Sequence, residues 1–344
     1  MQELWQQHAL GARNPIALVD ILKLERDASS RHRSRAISHV LTILKDTPAF
    51  DFQSYKGKDH RVFAGAIPVR ILPSGREYAT CQYMLNTMHI EEASYDGNDC
   101  VLQELWRQLG ITNPEAQKAL STLFMTPWVG DQLTASRLWG LQLFRSGDLN
   151  CFDRLEFLIV LFGLFHAQIV YEHSLHMQYY GTQAGFGLVQ AFDLLKRKGL
   201  HSPSVQGNFH HHIKEALYHI AEARIRDLWC TVAQVTDLSE LCDQTPTQLH
   251  KLATKIVDKH ASTAALNEMK KGKDDLLYQS TQFARDLLDY IDLDCAIKFG
   301  DVGCIEDHLP RLLFRFAGGS NKNYTKEVLE LMQGLYRDWP ADLR

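Results

Sequence analysis

Apolar residues recur at two periods along this chain, and the change of period marks its organisation. Residues 1–45 read as two or three short helices. Asn14-Pro15 starts one, and Ile37, Val40, Leu41, Ile43 and Leu44 recur at helical spacing from Ser34 to Lys45. Residues 46–76 carry Pro48, Gly57, Gly65, Pro68, Pro73 and Gly75 and read as loop, with extended pieces at Ile67–Leu72 and Glu77–Met84. A regular alternation follows. Asn98 is placed to cap a helix that reaches Leu109 and stops at Gly110, and a strand is predicted over Leu123–Gly130. Thr134 can cap a helix over Ala135–Arg145, which Ser146-Gly147 ends. A second strand, Phe157–Phe162, leads into a helix that His166 opens. Strands and helices alternating with short joints imply a mainly parallel, covered sheet.

After about residue 185 the pattern becomes helical throughout. Ala184–Lys198, His210–Val235, Thr247–Lys270 and Asp274–Phe299 read as helices, separated at Gly207-Asn208, Gln244-Thr245-Pro246 and Lys271-Gly272-Lys273. A strand is expected at Leu312–Phe316, then a turn at Gly318-Gly319-Ser320-Asn321 and a last helix over Asn323–Arg337. The predicted fold class is α+β and helix-rich: a small, mainly parallel sheet interrupted by a large all-helical insertion. Four segments follow: 1–65, N-terminal helices and loop; 66–182, an α/β core with Asp131 and His166; 183–310, the insertion; and 311–344, a C-terminal helix returning to the core.

Composition narrows the classes. In 344 residues, 45% hydrophobic and 10% aromatic content allow one large domain or two ordinary ones with real cores. A formal net charge of −4 argues against a generally basic nucleic-acid coat, so a nucleic-acid surface must be local or use bound metal ions. Seven scattered cysteines without Cys-x-x-Cys argue against a disulfide framework or zinc knuckle and read as small buried hydrophobes. The start, Met1-Gln2-Glu3-Leu4-Trp5, lacks a signal-peptide pattern. The longest apolar run, Leu155–Phe165, contains Glu156 and is too short to span a bilayer. An intracellular chain, nuclear or cytoplasmic and without membrane association, is expected.

Candidate chemistry begins at Asp131, an acid at the C-terminal tip of a strand, where ligands bind in open α/β sheets. Its bland reading is a turn or cap residue. His166 ends the next strand and shares a helical face with Val170, His173 and Met177, beside His176. On the last helix Glu327 borders the apolar row Tyr324, Val328, Leu331 and Leu335, whereas Glu330 faces outward. His212, Glu215, His219 and Glu222 share one face of the helix from His210 and form an alternative metal-ligand set, although salt-bridged solvated rungs are the better explanation. Arg31, Arg33 and Arg35 with His32 form a basic knot that reads as a solvated linker, or as a phosphate-contacting patch.

Several of these segments carry a resemblance. Gly130-Asp131-Gln132-Leu133-Thr134, Phe162-Gly163-Leu164-Phe165-His166-Ala167-Gln168 and Phe209-His210-His211-His212 through Ala221-Glu222-Ala223 resemble a large fungal family of uncharacterised proteins, domain of unknown function 6589. So do Gly300-Asp301-Val302-Gly303 and Leu312-Leu313-Phe314-Arg315-Phe316-Ala317-Gly318-Gly319 with Asn323-Tyr324, and the likeness covers about residues 66–340. A second resemblance is to transposases with a ribonuclease-H-like core, of the hAT and Mutator-like groups. It implies that Asp131 matches the second catalytic acid, His166 the histidine, Glu327 the last acid, and residues 167–320 the helical insertion.

That resemblance implies metal-dependent phosphoryl transfer on DNA, with Mg or Mn held by Asp131 and Glu327. The first catalytic acid lacks a clear counterpart. Glu91, Glu92 and Asp96 lie in a polar loop, and the family leads one to expect an Asp-Asn-bearing strand before residue 1. The expected function is therefore that of a transposon-derived protein, catalytically degenerate as it stands. The alternative is a non-catalytic module whose helical half binds a protein partner, with Asp131 as a turn residue.

Overall fold

Trp128-Val129 and the run Leu158-Ile159-Val160-Leu161-Phe162 are β-branched and aromatic stretches that suit a pleated, covered ribbon. In the computed structural model they form β1 (Thr126–Gly130) and β2 (Leu158–Phe162). The strands pair in parallel, with Thr126 opposite Leu158 and Gly130 opposite Phe162. The structure describes residues 14–182, 187–197, 210–272, 274–319 and 321–339. Their α-helices are α1 (Leu18–Lys45), α2 (Tyr95–Gln108), α3 (Pro114–Leu123), α4 (Gln132–Phe144), α5 (Leu164–Tyr179) and α6 (Leu188–Arg197), then α7 (His210–Ala233), α8 (Pro246–His260), α9 (Thr263–Met269), α10 (Asp275–Phe299), α11 (Val302–Gly318) and α12 (Lys322–Gln333). The class is α+β with helix dominant.

The chain divides into two compact units. The first comprises Met1–Ile21, Pro73–Val170 and Leu312–Arg344. Its core joins Leu102 and Trp106 of α2 to Leu138 and Leu141 of α4 and to Phe157, Leu158 and Val160 around β2. Ser94, not Asn98, caps α2 by accepting a bond from the Gly97 amide; Asn98 lies buried in the first turn and donates to the Ser94 carbonyl at 2.9 Å. The strand expected from Leu123 begins only at Thr126. Asn113-Pro114 is a cap followed by a first-turn proline, and it starts a helix that runs through Leu123. The extended piece expected at Glu77–Met84 is irregular apart from a short 3₁₀ turn, Arg76–Tyr78.

The second unit comprises Leu22–Leu72 and Tyr171–Arg311. Residues 22–72 thus belong with the helical half and not with an N-terminal segment ending at 65. The cause is packing: Ile37, Val40, Leu41 and Leu44 of α1 share one core with Trp229 of α7, Leu249 and Ile256 of α8, and Leu288 of α10. Of the two or three short helices expected over residues 1–45, the described residues form one continuous helix, Leu18–Lys45, and residues 1–13 lie outside the described residues. Ile67–Leu72 makes only a single antiparallel bridge, Ile71 to Asp301. Leu312–Phe316, expected as a strand, lies inside α11. The helix expected over Thr247–Lys270 breaks at Ala261, and Ser262 caps a new one. The Gly207-Asn208 break and the start of the Ala184–Lys198 helix lie outside the described residues.

One motif behind the resemblance has a structural explanation. Gly300 ends α10 with φ +69°, and the Asp301 carboxylate accepts bonds from the Val69, Arg70 and Cys304 amides at 2.9–3.1 Å. A Cβ at Gly303 would lie 2.9 Å from the Arg70 amide nitrogen, so this turn needs glycine to clamp the chain at 69–70. No helix among the described residues is long and apolar enough to cross a membrane.

Candidate functional site

Parallel pairing sets the C-terminal tips of β1 and β2 side by side in the first unit. Beyond the register, the Gly163 amide donates to the Gly130 carbonyl at 2.8 Å, which carries the ladder past β2 and starts α5 beside the tip of β1. A Cβ at Gly130 would meet the Thr134 side chain at 3.0 Å, so glycine is what lets α4 begin directly after the strand. Asp131 is the N-cap of α4: its Oδ1 accepts from the Thr134 amide at 2.8 Å. The cap expected at Thr134 is therefore supplied three residues earlier, by Asp131.

Asp131 and His166 come close enough to interact by charge. The Thr134 amide contributes most to holding the Asp131 carboxyl below its usual range, burial opposes it, and the His166 charge helps. The third group arrives from α12. Asn323 donates to the Gln132 side chain at 3.3 Å, and the Tyr324 ring packs edge-on to Phe162 at 6.1 Å and Phe316 at 5.9 Å. Tyr324 senses both acids: burial first, then the negative charges of Asp131 and Glu327, push its hydroxyl up to about 12.

Glu327 is the unusual member. It is 2% exposed, and its Oε2 is buried without a hydrogen-bond partner. Burial raises its carboxyl to about 7; the Gln132 side chain restrains the rise and Glu330 adds to it. Glu330 is exposed, as helical phase requires. Glu327 also lines a cavity of about 320 Å³ beside β2, with Trp139, Leu158, Val160 and Trp339 among its walls. A buried carboxyl with one oxygen left unpartnered is the sort of group found at ligand sites.

The gathering is incomplete. Only His32, Asp292 and His308, all in the second unit, bring three ligand atoms within 4.8 Å among the described residues; Asp131, His166 and Glu327 do not converge so closely. No strand precedes β1 among the described residues to carry a further acid. Glu91 and Glu92 lie in irregular chain and Asp96 in the first turn of α2. The donors that remain are oxygen ligands suited to one hard dication and too few for two.

In the alternative metal set on α7, three of the four residues make pairs along the helix. His219 lies 3.8 Å from Glu215, both exposed, and Glu222 pairs with Arg226 at 3.2 Å. His173 is half-buried; His176 is buried, stacks on Phe192 at 6.1 Å and has its pKa lowered by burial. The basic knot is no solvated linker. Arg31 pairs with Asp307 at 2.5 Å, Arg33 with Asp258 at 2.6 Å, and Arg35 is buried between Asp292 and Asp307. His32, Arg35 and His39 recur at three- and four-residue steps on α1, the spacing that could have marked an inward polar face. The cysteines are all free, but only Cys304 is fully buried; Cys81 and Cys100 are exposed.

No curated protein and no solved structure matches this chain. One family model matches residues 11–344: the chain belongs to the family of unknown function DUF6589.

Proposed function

We propose that the first unit is a ribonuclease-H-like, DDE-transposase-type core of transposon origin that has lost catalysis and retains a weak site for one divalent cation. Asp131 and Glu327 are its oxygen donors and His166 orients the Asp131 side. The observation that carries this reading is the buried, unpartnered Oε2 of Glu327, a residue whose charge acts on the same tyrosine, Tyr324, as that of Asp131. A carboxyl left short of partners in a dry environment gains most when a cation arrives. Bound Mg or Mn supplies Lewis-acid stabilisation of phosphoryl oxygens and lowers the pKa of bound water.

The chain's own residues set the limits. Asp131 already uses one oxygen in capping α4, and the Tyr324 hydroxyl, raised by burial and then by both acids, stays protonated near neutral pH. Two carboxylates that must close toward each other to share an ion bind it weakly, and without a third acid they cannot hold the pair of metals that in-line phosphoryl transfer uses. DNA is the partner this reading implies, with the cation offsetting a net charge of −4.

Calorimetric titration with Mn tests it. Heat of binding in the millimolar range is expected for the natural sequence and none for Asp131→Asn, with no cleavage of duplex or single-stranded DNA by either. Absence of heat, or heat unchanged in Asp131→Asn, contradicts the reading. The capping bond of Asp131 favours a second reading, a non-catalytic protein-interaction module using the helical half. That reading predicts no metal response at all.

A further inference from the structure

The tightest convergence of metal-ligating groups lies in the second unit, and the proposed function leaves it unused. We infer that His32 of α1, Asp292 of α10 and His308 of α11 form a site for one transition-metal dication of the zinc class. Their ligand atoms lie within 4.8 Å of one another, and the three residues are 4%, 6% and 1% exposed. Two imidazoles and one carboxylate are the donor set that suits such ions and leaves coordination positions open.

The surroundings are those of a ligand set. His32 Nε2 lies 3.1 Å from the Asp307 carbonyl oxygen, so Nε2 carries the proton and the Nδ1 lone pair points inward, 4.0 Å from Asp292 Oδ2. His308 Nε2 sits 2.8 Å from the same oxygen. The other carboxylate oxygen, Oδ1, is held at 2.9 Å by His39 Nε2, which fixes the carboxylate plane from outside. The His32 and His308 rings meet edge-on with centroids 4.6 Å apart.

Arg35 is the competitor. Its Nε donates to Asp292 Oδ2 at 2.7 Å and its Nη2 to His32 Nδ1 at 3.0 Å, so the guanidinium serves as a built-in cation at the same ligands. It also donates to Asp307 at 3.0 Å. A dication that takes Asp292 and His32 leaves Arg35 paired with Asp307, so no buried charge is stranded. Metal and guanidinium are therefore alternatives at one carboxylate.

The test is uptake of Zn and of Co by the full chain after treatment with a chelator, read by metal content and by visible cobalt absorption. One equivalent with a visible cobalt spectrum is expected, unchanged in Asp131→Asn, which separates this site from the strand-end site. His308→Gln should abolish it. His39→Gln, a milder change at the outer partner, should weaken binding about 10–100-fold, and Arg35→Gln should tighten it. Folding of each variant is checked by circular dichroism. A folded natural chain without a cobalt spectrum at millimolar metal overturns the inference. So does a spectrum that survives His308→Gln.

Discussion

At the scale of single residues, Glu327 dominates. Its carboxyl is held up to about 7 against 4.5 for a free side chain. That gap corresponds to about 3 kcal/mol of linkage. Because the folded state prefers the protonated form, the contribution is fully present below the unfolded value and is lost as pH rises through about 7. Stability measured by denaturant titration should therefore fall between about pH 4.5 and pH 7 and level off above that. Glu327→Gln should flatten that fall and stabilise the fold by about 1–3 kcal/mol at the alkaline end. Equal pH slopes in the two proteins would show that burial does not perturb this acid. Helical phase alone separated Glu327 from Glu330, because an apolar row beside it can be read from spacing. Its partner Gln132 could not be read from local spacing, because it lies nearly two hundred positions away.

Asp131 shows what happens between residue and element. As the N-cap of α4 it satisfies the Thr134 amide, and Asn performs that task as well as Asp. Asp131→Ala should cost about 1 kcal/mol in thermal or chemical denaturation, and Asp131→Asn less than about 0.5 kcal/mol. Both should lose Mn binding. If Asn costs as much as Ala, the charge and not the cap is what the fold uses. The strands were legible because β-branched runs between Gly and Pro punctuation have few other uses. Helix α3 has no long apolar period of its own, and only Asn113-Pro114 marks its start. Helix α1 was divided at its arginines, because Arg31, Arg33 and Arg35 look solvated until Asp258, Asp292 and Asp307 are known to face them. A local pattern shows an inward polar face only as spacing; its partners lie more than two hundred residues along the chain.

At the scale of the whole molecule, the helical half and the strand-bearing part are each compact around their own core. The character change expected near residue 185 lies inside the second unit, which begins again at Tyr171. The placement of residues 22–72 did not follow from it, because an amphipathic helix does not name the core it will join. Trp229 anchors the second unit: it is 0% exposed and its indole N–H donates to the Val40 carbonyl at 3.2 Å, tying α7 to α1. Trp229→Ala should destabilise by about 3–5 kcal/mol, seen as a lower denaturation midpoint. A loss below about 1 kcal/mol would mean that α1 does not pack there.

The central claim is that Asp131 and Glu327 act together on one ion, and paramagnetic resonance of Mn counts free ion directly. The free-ion signal should shrink when the natural chain is added at millimolar concentration, more strongly above pH 7, where Glu327 is ionised. It should recover in Asp131→Asn and in Glu327→Gln. A signal that the natural chain leaves untouched, or that either variant reduces equally, contradicts the account.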